Sequence, residues 1–168
     1  MSSLTSTVPG AFNALYNLLV AAGNAQNPKI PVFHSEVLAG QLTQNGYVLL
    51  RGVQNHRLDL AALGSYAHYE CYEICGCVDY YQGGPDPLSM VEQVLDQTWA
   101  IYQEVVMSTV VANRGAAGGA PVLGSSAPTQ LTYVLPICAE YTGAPSGDAG
   151  FAGQVEFRYE IKARITVP

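Results

Sequence analysis

The sequence predicts a single α+β domain over residues 1–168, in which an N-terminal helix and one long helix pack on a mostly antiparallel sheet. Three observations predict this class. Apolar and polar residues alternate without interruption over 154–167, which is typical of a long strand with one buried face. Apolar residues recur at helical spacing over 88–113. The order of elements, a helix, three strands, a second helix and a closing hairpin, favours helices packed on one sheet.

The N-terminal segment predicts one amphipathic helix and one short strand. Ser6 or Thr7 can cap a helix over Pro9–Ala22, since short polar side chains favour the N-cap position. A short strand is expected over Ile30–His34, between two prolines, and residues 35–45 are expected to form a loop.

The next segment predicts two further strands joined by a long connection. The apolar run 46–52 is bounded by glycines and indicates a short strand buried on both faces. The mixed stretch 53–64 is interpreted as the connection, and such loops are often contact surfaces. The aromatic-rich stretch 65–81 indicates a central strand, in which Gly76 marks a bulge or a close approach.

The second half predicts the long helix and the closing hairpin. Asp86 and Pro87 are favourable first residues for a helix that runs to about Asn113. A glycine-rich connector over 115–128 follows, with a small apolar anchor at Val122 and Leu123. Two long strands then form a hairpin over residues 130–167.

The first strand of that hairpin contains a proline. Pro136 lies on the parity opposite to the apolar residues of its strand. Proline cannot donate to a sheet ladder, so an edge position or a bulge is expected there.

The composition favours an oligomer and argues against nucleic-acid clamping. Hydrophobic residues make up 49% of the chain and charged residues only 12%, so much surface is expected to be buried against other chains. The formal net charge of −6 argues against sequence-independent binding of nucleic acid, which needs a basic surface. No apolar run reaches the roughly 18 residues of a membrane span, and the N-terminus lacks the pattern of a secretion signal. We therefore expect a cytosol-like compartment and free cysteine thiols.

The residues that most often bind metals do not form a metal motif. Cys71, Cys75 and Cys77 share one strand face, and their spacing differs from that of structural zinc sites. They are interpreted as small buried residues. The three histidines stand in no metal-binding arrangement. The prediction is no metal and no cofactor.

No catalytic constellation is visible either. The glycine-rich stretch 115–121 follows a helix and lacks the Lys-Ser/Thr ending of a phosphate loop. Gly124-Ser125-Ser126 is not a nucleophile elbow, and no acid pair has a spacing that demands acid–base chemistry. We expect no catalytic residues and a protein that is not an enzyme.

The most organised charged feature is the polar row of the final strand. It consists of Glu156, Arg158, Glu160, Lys162 and Arg164. One interpretation is a solvated strand face with weak cross-strand pairs. The other is a face presented to a neighbouring subunit, where alternating signs fix the register. Together with Asn55, His56 and Arg57 of the predicted connection, these residues are the candidate subunit interface.

The layout as a whole resembles one viral protein family. The resemblance runs over nearly the whole chain: the N-terminal helix, an Ile-Pro-Val-Phe strand at 30–33, the Gly46 to Gly52 strand, the 69–81 strand closed by Gly83-Gly84 and a Pro-Asp-Pro, the long helix, and the closing strand from Val155. In this order of elements the chain resembles the tail terminator, or tail completion, proteins of long non-contractile-tailed (siphovirus-like) bacteriophages. The cysteine and tyrosine content of 69–81 and the low arginine count depart from the family's usual pattern.

The resemblance implies a structural role in the virion. Such proteins form a ring, expected to be hexameric, that caps the head-proximal end of the tail tube and ends its polymerisation. The implied partners are other copies of the chain, the tail tube protein and the head–neck connector protein. DNA would pass through the lumen without specific binding, and the ring would be assembled in the host cytoplasm. No membrane partner is implied.

Three alternatives remain open from the sequence. The nearest is another ring protein of the same particle, a head–tail connector or a tail-tube subunit, in which 53–64 and 115–128 could serve as the loop that reaches the next ring. The second is a small α+β enzyme that uses a tyrosine, His56 or a cysteine, and a pocket that brings His68 and a cysteine together would favour it. A host-directed binding module would be a monomer with an exposed patch.

Overall fold

The computed structural model describes residues 6–35, 45–60, 67–84, 86–115, 121–146 and 150–166. The helices are α1 (Val8–Ala25), α2 (Val91–Ile101) and α3 (Ser108–Ala112). A 3-10 turn (Pro87–Met90) precedes α2, and a π-helical segment (Tyr102–Met107) joins α2 to α3. We call the continuous stretch from α2 to α3 the long helix. The strands are β1 (Val32–His34), β2 (Gly46–Leu60), β3 (Ala67–Gly83), β4 (Leu131–Pro145) and β5 (Gly150–Thr166).

The five strands form one mixed, mostly antiparallel sheet. Their order is β1-β2-β3-β5-β4, and only β1 and β2 run parallel. The expected central position of β3 and the closing β4–β5 hairpin are confirmed. The α+β class, with an N-terminal helix and one long helix, is confirmed as well. Within the described ranges no helix is long and apolar enough to cross a membrane.

The core lies between one face of the sheet and the helices. Alternate residues of β5 face it, and each is at most 1% exposed: Val155, Phe157, Tyr159, Ile161 and Ala163. Tyr102, in the π-helical segment, packs on Phe157, and the centroids of the two rings lie 6.1 Å apart. Full burial of a large apolar side chain contributes about 1.5–3 kcal/mol, so this row fixes the register of β5.

The predicted connection over 53–64 is wrong over residues 53–60, which belong to β2; residues 61–64 lie outside the described part. Two register shifts, at Leu50/Gly52 and Gln54/Arg57, let this mixed sequence follow β3. Asn55, inside the second shift, has a φ of 52°, a conformation that Asn tolerates better than most residues. The shifts break the alternation by which a strand is recognised. The first part of β2 is also less buried than predicted, because Tyr47 and Leu49 are only half-buried.

The helix ends differ in part from the prediction. Thr7 is the N-cap of α1, but its hydroxyl makes no cap hydrogen bond and instead contacts a residue of the sheet. The helix ends at Ala25 rather than Ala22. The predicted cap at Asp86 is confirmed, since its carboxylate accepts from the Leu88 N–H at 3.2 Å.

Three smaller expectations are confirmed. Pro136 lies both on the edge strand β4 and beside a register shift. Gly76 marks a close approach, because a Cβ there would lie 2.5 Å from Cζ of Phe157. Val122 and Leu123 are buried. Of the predicted loop 35–45, residues 36–44 lie outside the described part of the chain.

Candidate interaction surface

The sheet face opposite the helices, called the outer face below, carries most of the charge. It is formed by the even-numbered residues of β5 and the residues that pair with them. Five of the seven cations of the chain lie in β2 and β5: Arg51, Arg57, Arg158, Lys162 and Arg164. No described helix packs on this face, which remains the polar side predicted from the alternation.

Cross-strand register arranges these charges in bands of alternating sign. Arg57 and Lys162 flank Cys71 on β3 and form one positive band. Glu73 pairs with Glu160 in the next band. The bands exist because the residues of β5 alternate in sign every second position while neighbouring strands run in register.

Ion pairs run between the bands rather than along them. Arg51 Nη1 lies 2.6 Å from Glu156 Oε1. The Arg158 guanidinium lies 3.6 Å from Glu73, and Arg57 lies 3.9 Å from Glu160. Such exposed pairs contribute little to stability, so they position the side chains more than they stabilise the fold.

Two places in this pattern put like charges side by side. Glu73 faces Glu160 across β3–β5, and Glu140 faces Glu156 across β4–β5. Like charges directly opposite one another are unfavourable. Each pair is partly offset by a neighbouring arginine, but Glu140 makes no ion pair with any described residue. The same is true of Arg164. Among the described residues, the outer face therefore keeps at least one charge of each sign without an ion pair.

The structure separates the three candidate residues of the predicted connection. Arg57 lies on the outer face with the β5 row. Asn55 is exposed at the register shift. His56 points to the opposite side, where its ring stacks on Tyr72, with centroids 6.3 Å apart. The second register shift is the physical reason, since it displaces side chains from strict alternation.

His56 belongs to a buried polar cluster that the sequence did not reveal. Its centre is Glu70, which is 1% exposed. One carboxylate oxygen of Glu70 accepts from the Thr7 N–H at 2.8 Å and the Thr7 hydroxyl at 2.6 Å. The other accepts from the Ser6 hydroxyl at 2.5 Å and contacts His56 Nε2 at 2.8 Å. Only one signal in the sequence pointed to it: a glutamate on the apolar parity of β3.

The electrostatics of Glu70 follow from these contacts. Burial disfavours the charged carboxylate, but the hydrogen bonds from Ser6, Thr7 and His56 outweigh burial, so its pKa lies below the usual value. The carboxylate also lies at the N-terminus of α1, where the helix dipole favours negative charge. The cluster thus fastens the start of α1 to β3.

All four cysteines are free, and burial makes three of them poor nucleophiles. Burial raises the pKa of Cys77 to about 12, and it also raises the pKa of Cys71 and Cys75. Cys75 and Cys138 flank Arg158 on its two sides, so their backbones are roughly 10 Å apart, beyond disulfide reach.

The outer face holds a concave region of about 430 Å³. Its lining includes both partly buried thiols and two ion-paired arginines: Cys75, Cys138, Arg51 and Arg158. Among the described residues no group of three or more metal-binding side chains is found. No hydrogen bond joins His68 to a cysteine in the described part of the chain. What this surface offers chemically is banded charge, suited to contact with another macromolecule.

Comparison with known proteins does not extend this description, since neither a protein-family model nor a curated protein sequence matches the chain.

Proposed function

We propose that this chain is the tail terminator of a long non-contractile-tailed bacteriophage, a structural subunit that closes into a ring on the head-proximal end of the tail tube. The ring ends tube polymerisation and joins the tail to the head–neck connector. The proposal stands on the order of elements in the sequence and on one feature of the structure, the outer face.

The outer face supports a subunit role because it is organised but does not stabilise the chain by itself. Exposed ion pairs add little to stability, and like charges are placed opposite one another at Glu73/Glu160 and Glu140/Glu156. Such a pattern favours binding of a second, complementary surface in a single register, because a shifted register would bring like charges together. A closed ring of identical subunits is built from head-to-tail contacts, in which one surface of a subunit binds a different surface of its neighbour.

The charge balance suits a channel that DNA must cross. The chain carries 13 acids against 7 lysines and arginines. A net negative wall repels the phosphate backbone, so DNA passes without sequence-independent adhesion. The virion, at the head-proximal end of the tail, is therefore the proposed location, and no enzymatic activity is part of this role.

The mass of the full-length protein, measured by native mass spectrometry and mass photometry at micromolar concentration, tests ring formation. We expect about six copies of a 17.8 kDa chain. Electron cryo-microscopy of the virions that contain it tests the place of the ring. We expect one ring, at the head end of the tail. A protein that stays monomeric at all concentrations and is missing from particles would refute the proposal.

A tail-tube subunit is the second candidate, and one observation favours it. Residues 53–58 of β2 are all exposed. An exposed strand segment can contact a subunit in the next ring, as tube subunits do. The same density repeated along the whole tail, rather than once at its end, would select this candidate.

A further inference from the structure

The 3-10 turn before the long helix and the first half of that helix present an apolar stripe to solvent. Leu88, Val91 and Leu95 follow one another at helical spacing and are 76%, 36% and 38% exposed. Glu92 and Asp96 lie beside them, also exposed. We call these five residues the acidic stripe.

The charges of this region have one sign. Between residues 86 and 112 the sequence contains four acids, the others being Asp86 and Glu104, and no lysine or arginine. Exposed large apolar side chains at the centre of such a stripe are typical of a contact surface. A surface of this charge is complementary to a cationic one.

The outer face supplies a matching surface near one end of the β4–β5 hairpin. Tyr133 pairs with Lys162 across the two strands, and Leu135 pairs with Glu160. Leu135 is 48% exposed. Arg164, the next outer-face residue of β5, makes no ion pair with any described residue. We call Tyr133, Leu135, Lys162 and Arg164 the basic patch.

The spacing of the charges agrees on the two surfaces. Glu92 and Asp96 are four residues apart in a helix, a rise of about 6 Å. Lys162 and Arg164 are two residues apart in a strand, a rise of roughly 6.7 Å. An apolar residue accompanies the charges on each surface, Leu95 on the stripe and Leu135 on the patch.

We propose that the acidic stripe of one copy docks on the basic patch of a second copy of this chain. The proposal rests on the proposed function, and it names the two surfaces by which the ring closes. Because the stripe and the patch are different surfaces, the contact is head-to-tail, and each copy keeps one free stripe and one free patch for the next copy.

Two variants test this contact by complementation. The stripe variant carries Leu88→Ser and Leu95→Ser, and the patch variant carries Leu135→Ser and Arg164→Glu. All four residues are exposed, so both variants are expected to fold, which far-UV circular dichroism and the urea midpoint would check. Val111→Ser, at a 46% exposed residue of the same helix, and Arg114→Glu, at an exposed cation outside the sheet, are the matched controls.

Native mass spectrometry is expected to give monomers for each variant alone and a 1:1 heterodimer of about 36 kDa, twice 17.8 kDa, for their mixture. The intact patch of the stripe variant then binds the intact stripe of the patch variant, and the chain of contacts stops there. The two controls should assemble like the wild type.

A charge exchange gives a second measurement. Glu92→Lys with Asp96→Lys should weaken association about tenfold or more, as should Lys162→Glu with Arg164→Glu. All four changes in one chain should restore association.

The outcomes separate the two proposals. A stripe variant that assembles like the wild type, a patch variant that dimerises alone, or a mixture without heterodimer would each overturn the stripe-to-patch contact and leave the ring intact. A wild-type protein that is monomeric at every concentration would overturn the ring and the contact together.

Discussion

Replacing Glu70 with alanine is expected to destabilise the protein by about 3 kcal/mol. The change removes an acceptor that receives four contacts, two of them from the buried Thr7 N–H and hydroxyl. A buried donor left without an acceptor costs about 1–3 kcal/mol. The Ser6 and His56 groups are partly exposed and can turn to water, so they add little. The Thr7 N–H is left without an acceptor, which costs about 1.5 kcal/mol. The Thr7 hydroxyl can turn to the Tyr72 hydroxyl 3.1 Å away but loses a hydrogen bond to a charged group, at about another 1.5 kcal/mol.

Urea unfolding at pH 7, followed by tryptophan fluorescence and circular dichroism at one fixed protein concentration, measures this loss. The fixed concentration is needed because assembly shifts apparent stability. Glu156→Ala is the matched control, a glutamate of the same sheet with one exposed ion pair, and it should cost less than about 1 kcal/mol. A Glu70→Ala variant that loses no more than this control would refute the account of the cluster.

The pH dependence of stability gives an independent check on Glu70. Its pKa is lower in the folded chain than in the unfolded chain, so the unfolded state binds the proton more readily. This contribution is therefore complete above about pH 4.5, the usual pKa of glutamate, and is lost as the pH falls through the lower folded pKa. The Glu70→Gln variant should show less loss of stability over this acidic range than the wild type does.

Three further predictions follow from single positions. Gly76→Ala should destabilise by about 1–3 kcal/mol in urea unfolding, because the added Cβ would meet the ring of Phe157 within the packed sheet, and an unchanged midpoint would contradict this. Asn55→Gly should leave the urea midpoint unchanged or raise it, whereas Asn55→Val should lower stability by about 1 kcal/mol, because a β-branched residue resists a φ of 52°. Maleimide labelling of the native protein at pH 8, read by peptide mass spectrometry, should modify Cys75 well before the buried Cys77, whose pKa is about 12; equal rates would exclude the packing described.

The closing strand was predictable because burial and alternation coincide in it. Every odd residue from Val155 to Ile165 faces the core, and no register shift interrupts its pairing with β3. The long helix was predictable for a similar reason, with a cap at Asp86. The π-helical segment of this helix could not be predicted, because a single wide turn changes the spacing of the apolar residues too little to be recognised.

Strand β2 shows why the rest of the fold escaped prediction. Its second half has exposed residues on both faces, and two register shifts interrupt the strand as a whole, so it has no period to recognise. It is a strand because β3 offers a ladder along its whole length, a tertiary effect that local sequence does not contain.

The candidate surface was predictable only where it follows one strand. The β5 row from Glu156 to Arg164 lies on one face as expected, and Arg57 joins it. His56 lies on the other face because of a register shift, and Glu70 gains its role from Ser6 and Thr7, more than sixty residues away. Contacts at such separation carry no signature in a single sequence.

The edge strand β4 bears on how copies of this chain can associate. An edge strand of fifteen residues would ordinarily invite strand addition, which continues without limit. Here Pro136 and Pro145 remove two donors, and register shifts at Leu131/Tyr133 and Pro136/Cys138 interrupt the ladder. Regular strand addition is thus disfavoured. Exposed apolar residues, and charges that form no ion pair with a described residue, lie instead on the outer face and on the acidic stripe. Association through faces can close at a fixed number of copies, and a ring that must end a polymer needs contacts of that kind.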